Sequence, residues 1–209
     1  MEKVEPFERY IEEYEDWFER NKFAYLSELE AIKSQLPKTG YGLEIGVGSG
    51  RFAAPLGINL GIEPSKKMGE IARQRGIEAI AGVAEALPFD DAQFDFALMI
   101  TTICFLNDIK NAFREAYRVL KPDGCLIIGF IDKDSPLGKL YQRHKEDSLF
   151  YRVATFYSVK EVISHLKKTG FKNFSFTQTI FSSLAEIRNV EPITDGYGKG
   201  SFVVIKARK

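Results

Sequence analysis

The chain has 209 residues, enough for one domain with a substantial buried core and a modest accessory segment. Its 29 basic residues are balanced by 29 acidic ones, so the formal net charge is zero and no global basic field exists to hold a nucleic-acid backbone. No stretch approaches the roughly 20 apolar residues that span a bilayer, and the start, MEKVEPFERY, lacks the basic and then apolar run of a secretory leader, so a soluble, cytoplasmic protein with no membrane partner is expected.

The first segment, PFERYIEEYEDWFERNKFAYLSELEAIKSQLP, sets Phe7, Tyr10, Ile11, Tyr14, Trp17 and Phe18 at helical spacing, followed by Ala24, Leu29, Ile32 and Leu36. This periodicity predicts two amphipathic helices. After Pro37 short apolar runs alternate with amphipathic stretches, the pattern of a parallel sheet flanked by helices. Strands are expected near 41–46, 58–62, 77–81, 94–101 and 124–131, with helices just after Gly50, over Lys66–Gly76 and over Ile109–Leu120. Residues 132–157 carry Pro, Gly and charges and are expected to form a partly helical excursion. A helix over Val159–Lys168, stopped by Gly170, then leads to two alternating segments, FKNFSFTQTIF and GSFVVIKARK, which predict antiparallel strands at the sheet edge around an intervening loop. Cys104 and Cys125 lack metal-ligand spacing and are read as buried thiols, with no metal site expected.

The chemistry concentrates at LEIGVGSG, residues 43–50, where a strand runs into Gly46, Gly48 and Gly50 and then into a helix. Glycines at this spacing bring bare backbone against a ligand where a Cβ would collide. The strand at 58–62 delivers Glu63 about 20 residues after Glu44, the distance at which a carboxylate accepts two hydrogen bonds from a ribose diol. Glu44 stands just before the loop, at a place that pyrophosphate-binding folds keep free of negative charge. A carboxylate there suits a ligand with cationic groups, although a loop-bracing acid is an equal reading of it.

LEIGVGSGRFA, GIEPS, AEALPFDDAQFDFAL and RVLKPDGCLII occur here in the order and spacing of class I S-adenosylmethionine-dependent methyltransferases, and the chain resembles the small-molecule and quinone-type branch of that family. The resemblance implies an α/β fold: a three-layer, Rossmann-like, seven-stranded mixed sheet with its last strand antiparallel and an N-terminal helical lid. It implies one domain over 1–209, divided into the lid (1–37), a cofactor-binding core (38–131), an acceptor-side insertion (132–157) and a C-terminal helix with strand hairpin (158–209). The implied cofactor is S-adenosyl-L-methionine. Glu44 and the backbone of Gly46 and Gly48 would hold its methionine part, with Gly50 completing the loop. Glu63 would bind the ribose, Pro64 and Ser65 would flank the adenine, and Ala84–Glu85 would meet the adenine edge. In relatives an acid often precedes that alanine; here the residue is Val83.

The end of the fourth strand, Met99, Ile100 and Thr101, is expected beside the sulfonium, since ligands in such sheets bind beyond the carboxyl ends of the strands. Cys104–Phe105 stands where many relatives carry a His pair, so no imidazole is offered there as a base. Methyl transfer from a sulfonium is an in-line displacement that chiefly needs alignment and a water-poor cleft. His144 and Tyr14 are the candidates for handling an acceptor proton, and Tyr10, Tyr14, Trp17 and Phe18, with Tyr141, Phe150 and Tyr151, are candidates for enclosing a small-molecule acceptor. Two other readings compete: a nicotinamide-dependent oxidoreductase, which lacks a Tyr–Lys pair at recognisable spacing, and a non-catalytic S-adenosylmethionine-binding module.

Overall fold

The computed structural model describes residues 3–209. Its framework is one sheet of eight strands: β1 (Gly42–Ile45), β2 (Leu60–Glu63), β3 (Glu78–Ala81), β4 (Phe94–Ile100), β5 (Leu120–Ile131), β6 (Lys172–Thr179), β7 (Thr194–Asp195) and β8 (Phe202–Arg208). They lie in the order β3-β2-β1-β4-β5-β8-β6-β7. The first five are parallel, β8 runs antiparallel between β5 and β6, and β7 adds an antiparallel edge to β6. The three-layer mixed fold is therefore as expected. The eighth strand is the difference: two residues of the predicted loop pair with Thr177 and Gln178, too short a run to leave a periodic signal.

The FDFALMI run of β4 shows why the sheet is buried on both sides. Ala97 and Met99 face one core with Leu43, Ile45, Phe113 and Leu166, whereas Phe96, Leu98 and Ile100 face the other with Ile32, Phe52, Ala72 and Val204. The helices α6 (Ile109–Val119) and α8 (Val159–Thr169) supply the first layer. Helices α3 (Lys22–Gln35) and α5 (Lys66–Gln74) supply the second, following α1 (Glu5–Arg9), α2 (Ile11–Arg20) and the one-turn α4 (Ala53–Leu56); α7 (Pro136–Arg143) lies in the 132–157 excursion. Side-chain caps set several starts: Ser65 accepts from the Met68 amide (3.2 Å), Asp108 from Lys110 (2.9 Å), and Ser158 with Glu161 forms a reciprocal capping box. Gly170, at φ +112°, ends α8 as the sequence predicts.

The N-terminal segment departs from expectation by forming three helices. Tyr10, at φ −117° and ψ 50°, breaks the first amphipathic stretch, and Asn21 separates α2 from α3 while donating from Nδ2 to the Trp17 carbonyl at 3.0 Å. The fifth strand begins at Leu120, earlier than predicted, because Leu120 pairs with Phe94 before the chain bulges and resumes with Cys125 opposite Phe96. Cys125 is buried, but Cys104 is only half-buried, and neither is disulfide-bonded. Among the described residues no helix is long and apolar enough to cross a membrane.

From β1 the chain winds outward to β2 and β3, then returns to the other side of β1 for β4 and β5. This reversal opens a crevice at the carboxyl ends of β1 and β4, where open α/β sheets bind ligands.

Candidate active site

A cavity of about 700 Å³ fills that crevice. Its floor is Glu44, Gly46, Gly48, Glu63, Ile100 and Thr102; its roof comes from α2, α3 and the 132–157 excursion. The volume lies within the range of small-molecule and cofactor sites.

Backbone geometry makes the floor. Gly46 adopts φ +75°, and a Cβ there would sit 2.5 Å from Thr102 Cγ2. Gly48 adopts φ +54°, and a Cβ there would stand 3.1 Å from the Tyr14 hydroxyl, inside the cavity. Both positions need glycine for conformation and for space. The Gly46 and Val47 amides donate to the Ile62 carbonyl at 2.8 and 3.0 Å, clamping the loop to β2. On the other side Thr101, a β-branched residue at φ +52°, turns the chain sharply out of β4, and Thr102 Oγ1 donates to the Ile100 and Gly46 carbonyls at 3.0 and 3.3 Å. A left-handed threonine is costly, and such strain concentrates at functional sites.

Two acids face this cradle. Glu63 accepts from the Gly48 amide on Oε2 and from the Ser65 amide on Oε1, both at 2.8 Å. Burial pushes its pKa up to about 7 against the pull of these amides. Each oxygen retains a lone pair for a hydroxyl donor. Glu44 is 1% exposed, and its Oε2 has no hydrogen-bond partner among the described residues. Burial raises its pKa well above the ordinary range, with the Ala53 amide opposing and the Glu63 charge adding to the rise. An orphaned buried carboxyl oxygen beside a glycine cradle fits an ammonium-bearing ligand and opposes a pyrophosphate.

The remaining expected cofactor positions divide. Pro64, Ala84, Glu85 and Thr101 also line the cavity. Glu85 has Oε1 committed to the Asn107 and Asp108 amides at 2.8 and 3.2 Å, so it braces the loop after β4 and does not simply replace the acid missing at Val83. Three residues face elsewhere. Ser65 is the buried N-cap of α5, Gly50 makes room for Ile77, whose Cγ1 would lie 3.2 Å from a Cβ there, and Met99 is wholly buried in the α6–α8 core. In each case packing, not ligand approach, explains the residue.

Of the proposed acceptor-side residues, Tyr14, Trp17, Phe18, Tyr141, Phe150 and Tyr151 line the cavity, and Tyr10 does not. Tyr14 makes edge contacts with Phe7, Phe18 and Phe150 at centroid distances of 5.9, 5.2 and 6.0 Å. Burial, then the charges of Glu63, Glu15 and Glu44, hold its phenol protonated, so it can donate a hydrogen bond but cannot serve as a base. His144 is exposed at the cavity mouth, and His165 lies on α8 against Tyr157, away from the cavity.

Charge pairing holds α2 over the glycine loop. Glu15 accepts from Arg75, whose Nη1 also reaches the Ser49 carbonyl at 2.6 Å, and from Arg51, whose Nη2 stands 2.6 Å away. Glu15→Ala leaves two half-buried guanidiniums without their shared acceptor. It is expected to lower stability by about 2 kcal/mol, read as a fall of roughly 4–8 °C in melting temperature. An unchanged melting curve would show that α2 is held by its apolar face alone.

Sequence reasoning missed Glu28 on α3, which lines the cavity and is 4% exposed. The signal was present: Glu28 falls four residues from both Ala24 and Ile32, on the stripe that faces the core.

The switch-point crevice, glycine cradle and ribose-spaced acid define a nucleoside-cofactor-binding α/β protein. The family model described as a methyltransferase domain matches residues 43–128. The crystal structure of a Thermotoga maritima S-adenosylmethionine-dependent methyltransferase, described as a possible histamine N-methyltransferase, superimposes with a TM-score of 0.97 at 51% identity, covering 99% of each chain. A protein of Methanocaldococcus jannaschii is 51% identical over 203 residues, 97% of this chain and 98% of that one. A demethylmenaquinone methyltransferase of Roseiflexus castenholzii is 38% identical over 101 residues, 43% of this chain and 42% of that one. The chain belongs to the class I S-adenosylmethionine-dependent methyltransferases; it is an enzyme, and its cofactor is S-adenosylmethionine. Neither the oxidoreductase reading nor the non-catalytic one gains support from these relatives.

Proposed function

We propose that the enzyme transfers a methyl group to a small-molecule acceptor by in-line displacement inside the 700 Å³ cavity. The observation that carries this reading is the aromatic enclosure over the glycine cradle, in which Tyr14, Trp17, Phe150 and Tyr151 leave a compact space beside the carboxyl end of β4. The neutral net charge argues the same way, since a nucleic-acid acceptor calls for a basic surface. The possible histamine N-methyltransferase of Thermotoga maritima carries a name that also points to a small acceptor.

Bound S-adenosylmethionine supplies a methyl group on a sulfonium. Glu63 takes the ribose hydroxyls, Glu44 with the Gly46 and Gly48 backbone takes the methionine end, and the Ala84 backbone meets the adenine edge. Ile100 and Thr101 border the reacting centre, and Tyr14 closes it from above. The helices of residues 1–37 act as the lid, and residues 132–157 form the acceptor side. Alignment and exclusion of water are the chain's main contributions. No side chain is assigned as base, since Tyr14 stays protonated and His144 lies at the mouth.

Incubating the enzyme with S-adenosylmethionine and panels of small amines, phenols and thiols, and following S-adenosylhomocysteine, tests the reading. Turnover on a small molecule is the expected result. Turnover confined to protein or nucleic acid would refute it.

A second prediction addresses the enclosure. Tyr14→Phe keeps the ring contacts but removes the hydroxyl beside Gly48, and should alter cofactor affinity less than about threefold, whereas Tyr14→Ala opens the cavity to water and should lower kcat at least about tenfold. Equal kcat in the two variants would remove Tyr14 from the site.

A further inference from the structure

The cavity holds one buried carboxyl that the donor-binding scheme leaves unused; its other spare acids, Glu13, Glu85 and Asp147, are exposed or half-buried. Glu28 projects from α3, on the roof and not from the strand ends that hold Glu44 and Glu63. It is 4% exposed, and among the described residues its carboxyl has no hydrogen bond or ion pair. Burial alone pushes its pKa up to about 8. A carboxyl in that state costs stability, and a structural role would have supplied it with a partner; the neighbouring acid Glu15 has two arginines. Tyr141 and Tyr151, whose rings stack at 4.6 Å, and Trp17 line the same cavity, and the Glu28 charge is felt at both tyrosines. A buried carboxyl that shares its cavity with aromatic rings has the composition of a site for an organic cation, because a bound ammonium stabilises the ionised form of the acid and the rings attract both the cation and an attached apolar body.

We propose that Glu28 anchors a protonated amino group of the methyl acceptor, so that the acceptor is a small amine whose apolar or planar body lies against Trp17, Tyr141 and Tyr151. This rests on the reading that the cavity takes a small-molecule acceptor, and it adds the acceptor's chemical class. The role is one of binding: Glu28 receives a hydrogen bond from the ammonium and fixes the far end of the acceptor while another atom is presented to the methyl group. A neutral acceptor of the same shape leaves Glu28 protonated and gains no ion pair, which makes Glu28 a selectivity device as well as an anchor.

The test uses the full-length enzyme saturated with S-adenosylhomocysteine and two matched pairs of probes, phenethylamine against phenethyl alcohol and hexylamine against hexanol, titrated by calorimetry. The wild type should prefer each amine to its alcohol by at least about tenfold, which is about 1.4 kcal/mol. Glu28→Gln, which is close in size, should abolish that preference while keeping S-adenosylhomocysteine affinity within about twofold, and Glu28→Asp should retain part of the preference. Circular dichroism of each variant confirms folding, and if Glu28→Gln does not fold, the wild-type preference and Glu28→Asp decide. No amine binding, no preference in the wild type, or a preference that survives Glu28→Gln overturns the proposal. So does an equal loss of S-adenosylhomocysteine binding in Glu28→Gln, which would move Glu28 to the donor site. Turnover restricted to neutral small molecules sinks this inference alone, and absence of turnover on any small molecule sinks the reading beneath it.

Discussion

Glu63→Ala is expected to weaken S-adenosylmethionine binding about 100-fold, roughly 2.7 kcal/mol, with little change in far-ultraviolet circular dichroism. Two losses add. The ribose diol forfeits a charged acceptor, and the Gly48 and Ser65 amides, each now 2.8 Å from a Glu63 oxygen, lose the partner that positions the glycine cradle. Glu63→Gln separates the effects: it still accepts from one of the two amides but removes the charge, so its loss should be smaller, about tenfold. Calorimetric titration with S-adenosylhomocysteine reads both variants. If Glu63→Ala binds as tightly as the wild type, the carboxylate only braces the loop and the ribose assignment is wrong.

The floor of the cavity was legible because its requirements are local. The positive-φ turn of Gly46 and Gly48 out of β1 and the acid Glu63 at the end of the next strand, which the Gly48 amide meets at 2.8 Å, both show in spacing alone. The same reasoning overreached at Gly50 and Met99. A glycine that admits Ile77 looks in sequence like one that admits a ligand, and in a strand buried on both faces alternation separates Met99 from Ile100 without saying which side holds the cavity. Ser65 was ambiguous for a similar reason, because an N-cap and a ligand contact favour the same residue type. The roof of the cavity depends on how three N-terminal helices and the 132–157 excursion fold back over the sheet. Phe7 meets Phe105 and Phe150 across 98 and 143 residues of chain, contacts that no local period records (Phe7–Phe105 4.8 Å, Phe7–Phe150 5.3 Å). The break at Tyr10 belongs to this class, since the apolar period continues through it.

Stability of the ligand-free enzyme should fall as pH rises from about 5 to 8, the reverse of an ordinary acid-labile protein. Burial lifts Glu63 to about 7 and Glu28 to about 8 from an ordinary 4.5, and lifts Glu44 well above it. In the unfolded chain Glu63 and Glu28 release their protons near 4.5, whereas the folded chain keeps them until about pH 7 and 8; Glu44 shifts in the same direction. Between those limits the folded state binds more protons, so the free energy of unfolding decreases as pH increases, the Glu63 and Glu28 contributions being complete by about pH 8. The displacements of Glu63 and Glu28 each correspond to about 3–5 kcal/mol, an upper range for the effect. At the acid end the opposite sign applies. Glu161, held down to about 2 by Lys133 and the Ser158 amide, gives stability that disappears as pH falls from 4.5 through 2, a small term because its side chain is 45% exposed. The maximum should therefore lie near pH 5. Urea unfolding at a series of pH values measures the curve, and Glu28→Gln and Glu63→Gln should each flatten its descending limb; a wild-type stability that is level or rising between pH 5 and 8 would contradict the buried, uncompensated state of these acids. Binding follows the same protons with the opposite outcome. A ribose held by ionised Glu63 requires the proton to leave, so affinity for S-adenosylhomocysteine should strengthen as pH rises toward 7 and weaken by up to about tenfold per pH unit below it. The pH range that destabilises the empty cavity is thus the range in which it is charged to receive its cofactor.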